Sequence, residues 1–255
     1  MNYYETKQYS DEELLVRILD KEEIKNLMAR RAYYYANNER QREIDELWVT
    51  GDDLKKTASY GRNWGYYVGL DSIRNYYVVE HEKKQRAALD ALGKPSEALG
   101  YGCSAFHETT TPMLYIAGDG KTARGLWYVP GQETIMKSDG TAECYWTMDN
   151  MSADFVKENG SWKLWHLVVC SDFFVEAGTD FQEGTLDPLT GPDPFRDEFG
   201  TPDIPMVVHN PRYNLSDNYP PMPLPYETYT VEGSLAPEGH PRRLDGYYKY
   251  MKKEG

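Results

Sequence analysis

The stretch from Thr141 to Val175, TAECYWTMDNMSADFVKENGSWKLWHLVVCSDFFV, constrains the fold more than any other. It holds two long runs rich in β-branched and aromatic residues, divided by Glu158-Asn159-Gly160, a hairpin turn signal. Just upstream, TPMLYIAGDGKTARGLWYV repeats the arrangement, with two runs around Gly118-Asp119-Gly120. Successive β runs joined by tight turns predict an antiparallel meander.

The first 92 residues carry the other period. Ser10 and Glu13 match a capping box ahead of LLVRIL. Ile24, Leu27, Met28, Arg31 and Tyr35 then fall on one helical face. The pattern breaks near Asn37-Asn38, and IDELW at 44–48 reads as a second, short helix. Gly51–Asp53 reads as a turn. A third helix fits Asp71–Leu92, with Asp71 as N-cap and Gly93 as stop. Helices first and a meander second predict an α+β fold in which helices cover one face of a curved antiparallel sheet.

Beyond Gly184 the composition shifts, and twelve of the 15 prolines lie there. Proline cannot donate to a strand ladder, yet Phe195, Phe199, Met206, Val207 and Val208 make the segment too apolar for a free tail. The expected organisation is one α+β domain over residues 1–183 and an extended arm over 184–255, packed on its own domain or on a neighbouring subunit of a homodimer or homotrimer.

The net charge of −13 repels phosphate backbones and argues against nucleic acid as a partner. No basic amphipathic helix or long apolar run points to a membrane. The start, MNYYETKQYS, lacks the basic and apolar regions of a signal peptide. Cys103, Cys144 and Cys170 have no metal-ligand spacing and read as reduced thiols, which suits a cytoplasmic setting. No nucleotide, redox, zinc or nucleophile-elbow motif occurs, so the expected chemistry is proton transfer without metal or cofactor. The 22 tyrosines suit an aromatic cavity or an interface, since a phenol buries area and keeps a polar handle.

Four segments carry a family resemblance: EIKNLMARRAYYYANN with IDELW, GLDSIRNYY, HETTTPMLYIAGDGKTARGLWYV and ENGSWKLWHLVV. Over roughly residues 15–175 the chain resembles the SnoaL-like branch of the nuclear-transport-factor-2-like superfamily. Bile acid 7α-dehydratases, scytalone dehydratases and the formaldehyde-releasing diarylpropane lyases are the enzymes it resembles there. The resemblance implies a conical barrel: a strongly bent sheet wrapped by three N-terminal helices, opening into a deep apolar pocket. It also implies a catalytic tyrosine and aspartate from the first helix region and a histidine from the meander. His107, five residues before Pro112 in HETTTP, fills the histidine position. The tyrosine position falls on Arg31, and the aspartate position near Asn37 or Asn38, so the chain departs from the family pattern there.

The residues set against that frame are as follows. His107 is the candidate acid–base, because imidazole titrates near neutral pH. Arg31, with Tyr34 or Tyr35 one turn on, is the candidate to polarise a substrate oxygen. Asn38 is a candidate to orient a hydroxyl. Strict alternation puts Trp162, Leu164, His166 and Val168 on one strand face, either toward the ligand or toward the arm or another subunit. Asp149 and Asn150 are polar in mid-strand, so one of them is expected in the pocket, with Asn150 the candidate. Trp127 and Trp146 are candidates for an aromatic wall. His81, His209 and His240 read as surface groups. The expected function is a cofactor-independent lyase acting on a small hydrophobic or aromatic ring compound, by dehydration or by retro-aldol loss of a small aldehyde. The rivals are a double-bond isomerase and a non-catalytic ligand-binding or assembly module.

Overall fold

A computed structural model describes residues 9–179, 200–206, 208 and 220–240. Helix α1 (Asp11–Ala36) starts at the expected capping box: Ser10 accepts from the Glu13 N–H, and the Glu13 carboxylate accepts from the Ser10 N–H. It buries Asp20, Ile24, Leu27, Met28, Arg31 and Tyr34. Asn38 ends it in the left-handed region, at φ 60°. Helix α2 (Arg40–Leu47) follows at once, and the predicted turn after it is instead a short helix α3 (Asp52–Thr57).

Two short strands not foreseen from the sequence come next, β1 (Ser59–Arg62) and β2 (Gly65–Val68). The third predicted helix is present but is not one regular helix. It opens as α4 (Leu70–Arg74) after Gly69, passes through a π-helical stretch at Asn75–Glu80, and resumes as α5 (His81–Ala91). Gly93, at φ 61°, follows its end.

The meander comprises β3 (Ser104–His107), β4 (Thr110–Ile116), β5 (Thr122–Met136), β6 (Ala142–Glu158) and β7 (Ser161–Glu176). Among the described residues the sheet order is β3-β5-β6-β7-β1-β2-β8, with β4 also on β5 and β8 formed by Ile204–Pro205 of the arm. All pairs are antiparallel except β1 with β7, which is parallel. The helices cover the concave face. There Ile24, Met28, Ile44, Trp48 and Ile73 pack on Trp127, Val129, Phe155, Leu164 and Leu167 to form the core.

The convex face carries a second, smaller cluster, in which Tyr66, Val168 and Cys170 meet Val208 and Leu235 of the arm. The described arm segments therefore pack on their own domain. Gly118 and Asp119 donate backbone N–H groups to Tyr226 and Glu227, and the Leu235 N–H donates to Asp154. Of the arm anchors named from sequence, Phe195, Phe199 and Val207 lie outside the described residues, as does His209. No helix among the described residues is long and apolar enough to cross a membrane.

Candidate active site

A cavity of about 290 Å³ opens between the helices and the concave face. That volume suits a small molecule. The end of α1 supplies Arg31 and Tyr35, and the start of α2 supplies Arg40. β1 supplies Tyr60 and Arg62. The π turn and α5 supply Tyr76, Tyr77 and His81. The sheet supplies His107, Glu133 and Asp149.

His107 ends β3, opposite Gly131 of β5. A Cβ on residue 131 would stand 2.7 Å from the imidazole Nδ1 and 2.6 Å from the Phe106 carbonyl, so glycine makes the room this ring occupies. Nδ1 lies 3.7 Å from Asp149 Oδ2, and Nε2 lies 3.8 Å from Glu133 Oε2. The imidazole thus sits between two carboxylates. Tyr35 meets it edge-on, with ring centroids 5.1 Å apart, and donates its hydroxyl to Glu133 Oε1 at 2.5 Å.

Burial alone raises the Glu133 pKa. The charges of His107 and Arg40 and the hydrogen bond from Tyr35 overcome it and hold the carboxyl down at about 2. Burial, and then the Glu133 charge, push the Tyr35 phenol up, so it stays protonated and keeps a proton to donate. Burial raises Tyr76 and Tyr77 as well. Burial and the neighbouring Arg40 charge drive the His81 pKa well below 6.5, which leaves a second, neutral imidazole in the wall.

Arg31 is held by the buried Glu43 of α2, Nε to Oε1 at 3.1 Å. The N–H is not aimed along that contact, so charge rather than hydrogen-bond geometry holds the pair. Tyr77 donates to the other Glu43 oxygen at 2.6 Å, and an Arg31 terminal nitrogen reaches the Tyr60 hydroxyl at 3.4 Å. Burial opposes the Arg31 charge, but the Glu43 carboxylate keeps it ionised. Arg31 therefore ties α1, α2 and the π turn together while facing the cavity.

Four of the residues chosen from sequence meet at this cavity: His107, Arg31, Tyr35 and Asn38. Asn38 pairs its amide with that of Gln85 at 3.0 and 3.1 Å, which closes the rim between α1 and α5. The other five do not line it. Tyr34 turns about 100° away along α1 and donates to Glu46 at 2.5 Å. Trp127 is buried edge-on to Phe155 in the core, and Trp146 is 46% exposed on the outside of β6. Asn150 points to the convex side, where it donates to Asp172 at 2.7 Å, and its neighbour Asp149 is the one that faces in.

His166 also belongs to the convex side. The β6–β7 register slips between Asp154 and Phe155, so Trp165 is an extra residue and the alternation reverses. Leu164 packs in the concave core, whereas Val168 packs under the arm. His166 pairs with Asp154 at 3.0 Å and stacks on Trp165. Of the residues read as surface groups, His81 lies in the cavity wall and His240, in the arm, is fully buried.

Sequence reasoning passed over Glu133, Arg40, Arg62, Tyr60, Tyr76 and Tyr77. For Glu133 a signal existed: an acid two residues after Pro130-Gly131, inside a strand otherwise apolar on that face.

The SnoaL-like domain profile matches residues 16–168 of this chain. No curated protein matches it. Among solved structures, the hexachlorocyclohexane dehydrochlorinase LinA-type3 of Novosphingobium barchaimii superposes with a TM-score of 0.44 at 16% identity, over 66% of this chain and 97% of that one. An NTF2-like protein with a cystatin-like fold from Novosphingobium aromaticivorans gives 0.41 at 17%, over 71% and 99%. A candidate scytalone dehydratase from the same species gives 0.44 at 11%, over 64% and 91%. At these scores none of the three fixes a reaction for this chain. The profile, spanning more than half of the sequence, does place it: the chain belongs to the SnoaL-like family of the nuclear-transport-factor-2-like superfamily.

Proposed function

We propose that the protein is a cofactor-independent lyase acting on a small ring compound, with His107 as the acid–base. The observation that carries this reading is the imidazole at the cavity wall between Asp149 and Glu133, at 3.7 and 3.8 Å. A base so placed can accept a proton, because both carboxylates stabilise the imidazolium as it forms.

For dehydration, His107 takes a proton from the carbon next to the one bearing a hydroxyl. The C–H electron pair becomes the new double bond, and the C–O bond breaks. The imidazolium returns its proton to the departing hydroxyl, so water leaves and His107 is neutral again. A retro-aldol cleavage uses the same cycle. His107 takes the hydroxyl proton, the C–C bond breaks to give an aldehyde, and the carbon that keeps the electron pair is protonated by the imidazolium. Tyr35 holds Glu133 in place as a permanent donor. The cavity is open space rather than filled with side chains, which supports an enzyme over an assembly module.

The test is turnover of hydroxylated ring compounds by purified protein with no added cofactor. A new conjugated double bond reports dehydration, and released formaldehyde reports C–C cleavage. On the substrate so found, His107→Ala is expected to lower kcat by about 10²–10⁴, the usual worth of a general acid–base, with an unchanged circular dichroism spectrum. Turnover at the wild-type rate would remove His107 from the chemistry.

A further inference from the structure

The cavity holds three guanidinium groups, and only Arg31 has a carboxylate at ion-pair distance among the described residues. Arg40 lies over two phenols, its Cζ 4.1 Å from the Tyr35 ring centre and 4.8 Å from that of Tyr77. Arg62 lies 5.1 Å over the Trp64 ring. A guanidinium held over a ring by its charge can still donate its N–H groups to another partner. The Nε of each is buried without a hydrogen-bond acceptor among the described residues. The carboxylates of Glu133 and Asp149 offset the burial of Arg40 and Arg62 respectively and favour their charged forms. Those two carboxylates, however, are committed to the His107 side of the cavity.

Two rigid, charged, planar donors facing one small cavity fit a planar, bidentate anion best. We propose that the ring compound taken by this cavity is an acid, whose carboxylate is gripped by Arg62 and Arg40 while the ring lies against the tyrosine wall. The proposal rests on reading the cavity as the substrate site. The arginines also answer a long-range problem. A chain of net charge −13 repels an organic anion in bulk, so binding one needs fixed local cations.

The test is calorimetric titration of the full chain with matched pairs: benzoate and benzamide, phenylacetate and phenylacetamide, cinnamate and cinnamamide, with phenyl phosphate as a further anion. The expected result is tighter binding of the acid than of its amide in at least one pair. In Arg62→Gln and Arg40→Gln the acid is expected to weaken by about 10- to 100-fold, the worth of charge-assisted hydrogen bonds, with the amide unchanged. The comparison of acid with amide on the wild-type protein needs no variant, so a variant that fails to fold leaves the test intact. Equal affinity within every pair, no binding by any acid, equal weakening of acid and amide in both variants, or a preference for phenyl phosphate would each overturn the proposal. His107→Ala is expected to keep the preference for acids. Selective acid binding with no lyase activity on any hydroxy acid would therefore sink the reaction and leave the ligand class standing.

Discussion

Tyr33, Tyr34 and Tyr35 show how much one residue step decides. Neighbours on a helix point about 100° apart, so the three phenols serve three settings. Tyr33 is 71% exposed, Tyr34 clasps Glu46 of α2, and Tyr35 reaches Glu133 in the cavity. Glu133 is the residue whose charge state the site most constrains. Its pKa falls from 4.5 to about 2 on folding, so its stabilising contribution is fully present above pH 4.5 and is lost as pH drops toward 2. Glu133→Gln is expected to cost on the order of 3 kcal/mol just above pH 4.5, with the gap from wild type closing between pH 4.5 and 2. Denaturant titrations across that range would check it, and a gap independent of pH would remove the carboxylate from the account. His107 and Tyr35 were legible in the sequence because each combines a chemical type with a position on a recognisable element. Glu133 was passed over because an acid in a long strand reads as solvent-facing, although Trp127, Val129 and Ile135 mark that face of the strand as apolar. Asp149 was half legible: a polar pair in mid-strand was visible, but the face each residue took was not.

At the scale of elements, the periodic signals were sound and the interruptions were what they missed. The capping box, the apolar stripe of α1 and the two hairpin turns at Gly118–Gly120 and Glu158–Gly160 sit where pattern placed them. Strands β1 and β2 went unseen because four residues each, broken by Gly61, Asn63 and Gly65, carry too little alternation. The Asn63 side chain completes their junction with the sheet, exchanging hydrogen bonds of 2.9 Å with the Ser171 backbone. The bulge at Trp165 and the π turn at Asn75–Glu80 are one-residue insertions, and a fixed period cannot register them. The π turn has a clear consequence. A five-residue repeat stacks Tyr76 above His81, so both face the cavity. Deleting Val79, which is exposed, removes the extra residue and is expected to restore a regular helix. The following turns then rotate by about 100°, carrying His81 and Gln85 off the wall and Ala88 and Leu89 out of the apolar layer. We expect retained helix content by circular dichroism, a lower Tm and loss of ligand binding. A variant that binds as before would show that the π turn does not position the wall.

The whole molecule divides into two faces of one sheet with separate duties. The concave face holds the core and the cavity. The convex face is closed by the arm, and none of the described arm residues lines the cavity. Asp154 is the hinge pin of that second face. It is almost fully buried, pairs with His166 at 3.0 Å, faces Arg124 at 3.4 Å, and accepts the Leu235 N–H at 2.8 Å. Arg124 stacks in turn over Tyr226 of the arm, with its Cζ 4.3 Å from the ring centre. Removing one member of such a network leaves a buried cation and a buried N–H unmatched, at a cost of about 3–5 kcal/mol. Asp154→Ala is therefore expected to lower Tm by several degrees and to speed hydrogen exchange over residues 226–240. Because the bulge at Trp165 turns this cluster away from His107, ligand affinity at the cavity should stay at the wild-type value at temperatures where the variant is folded. Scanning calorimetry, exchange mass spectrometry and ligand titration on one preparation read all three. If cavity affinity fell along with arm protection, the two faces would be coupled through the sheet, and the division of duties drawn from the bulge would be wrong.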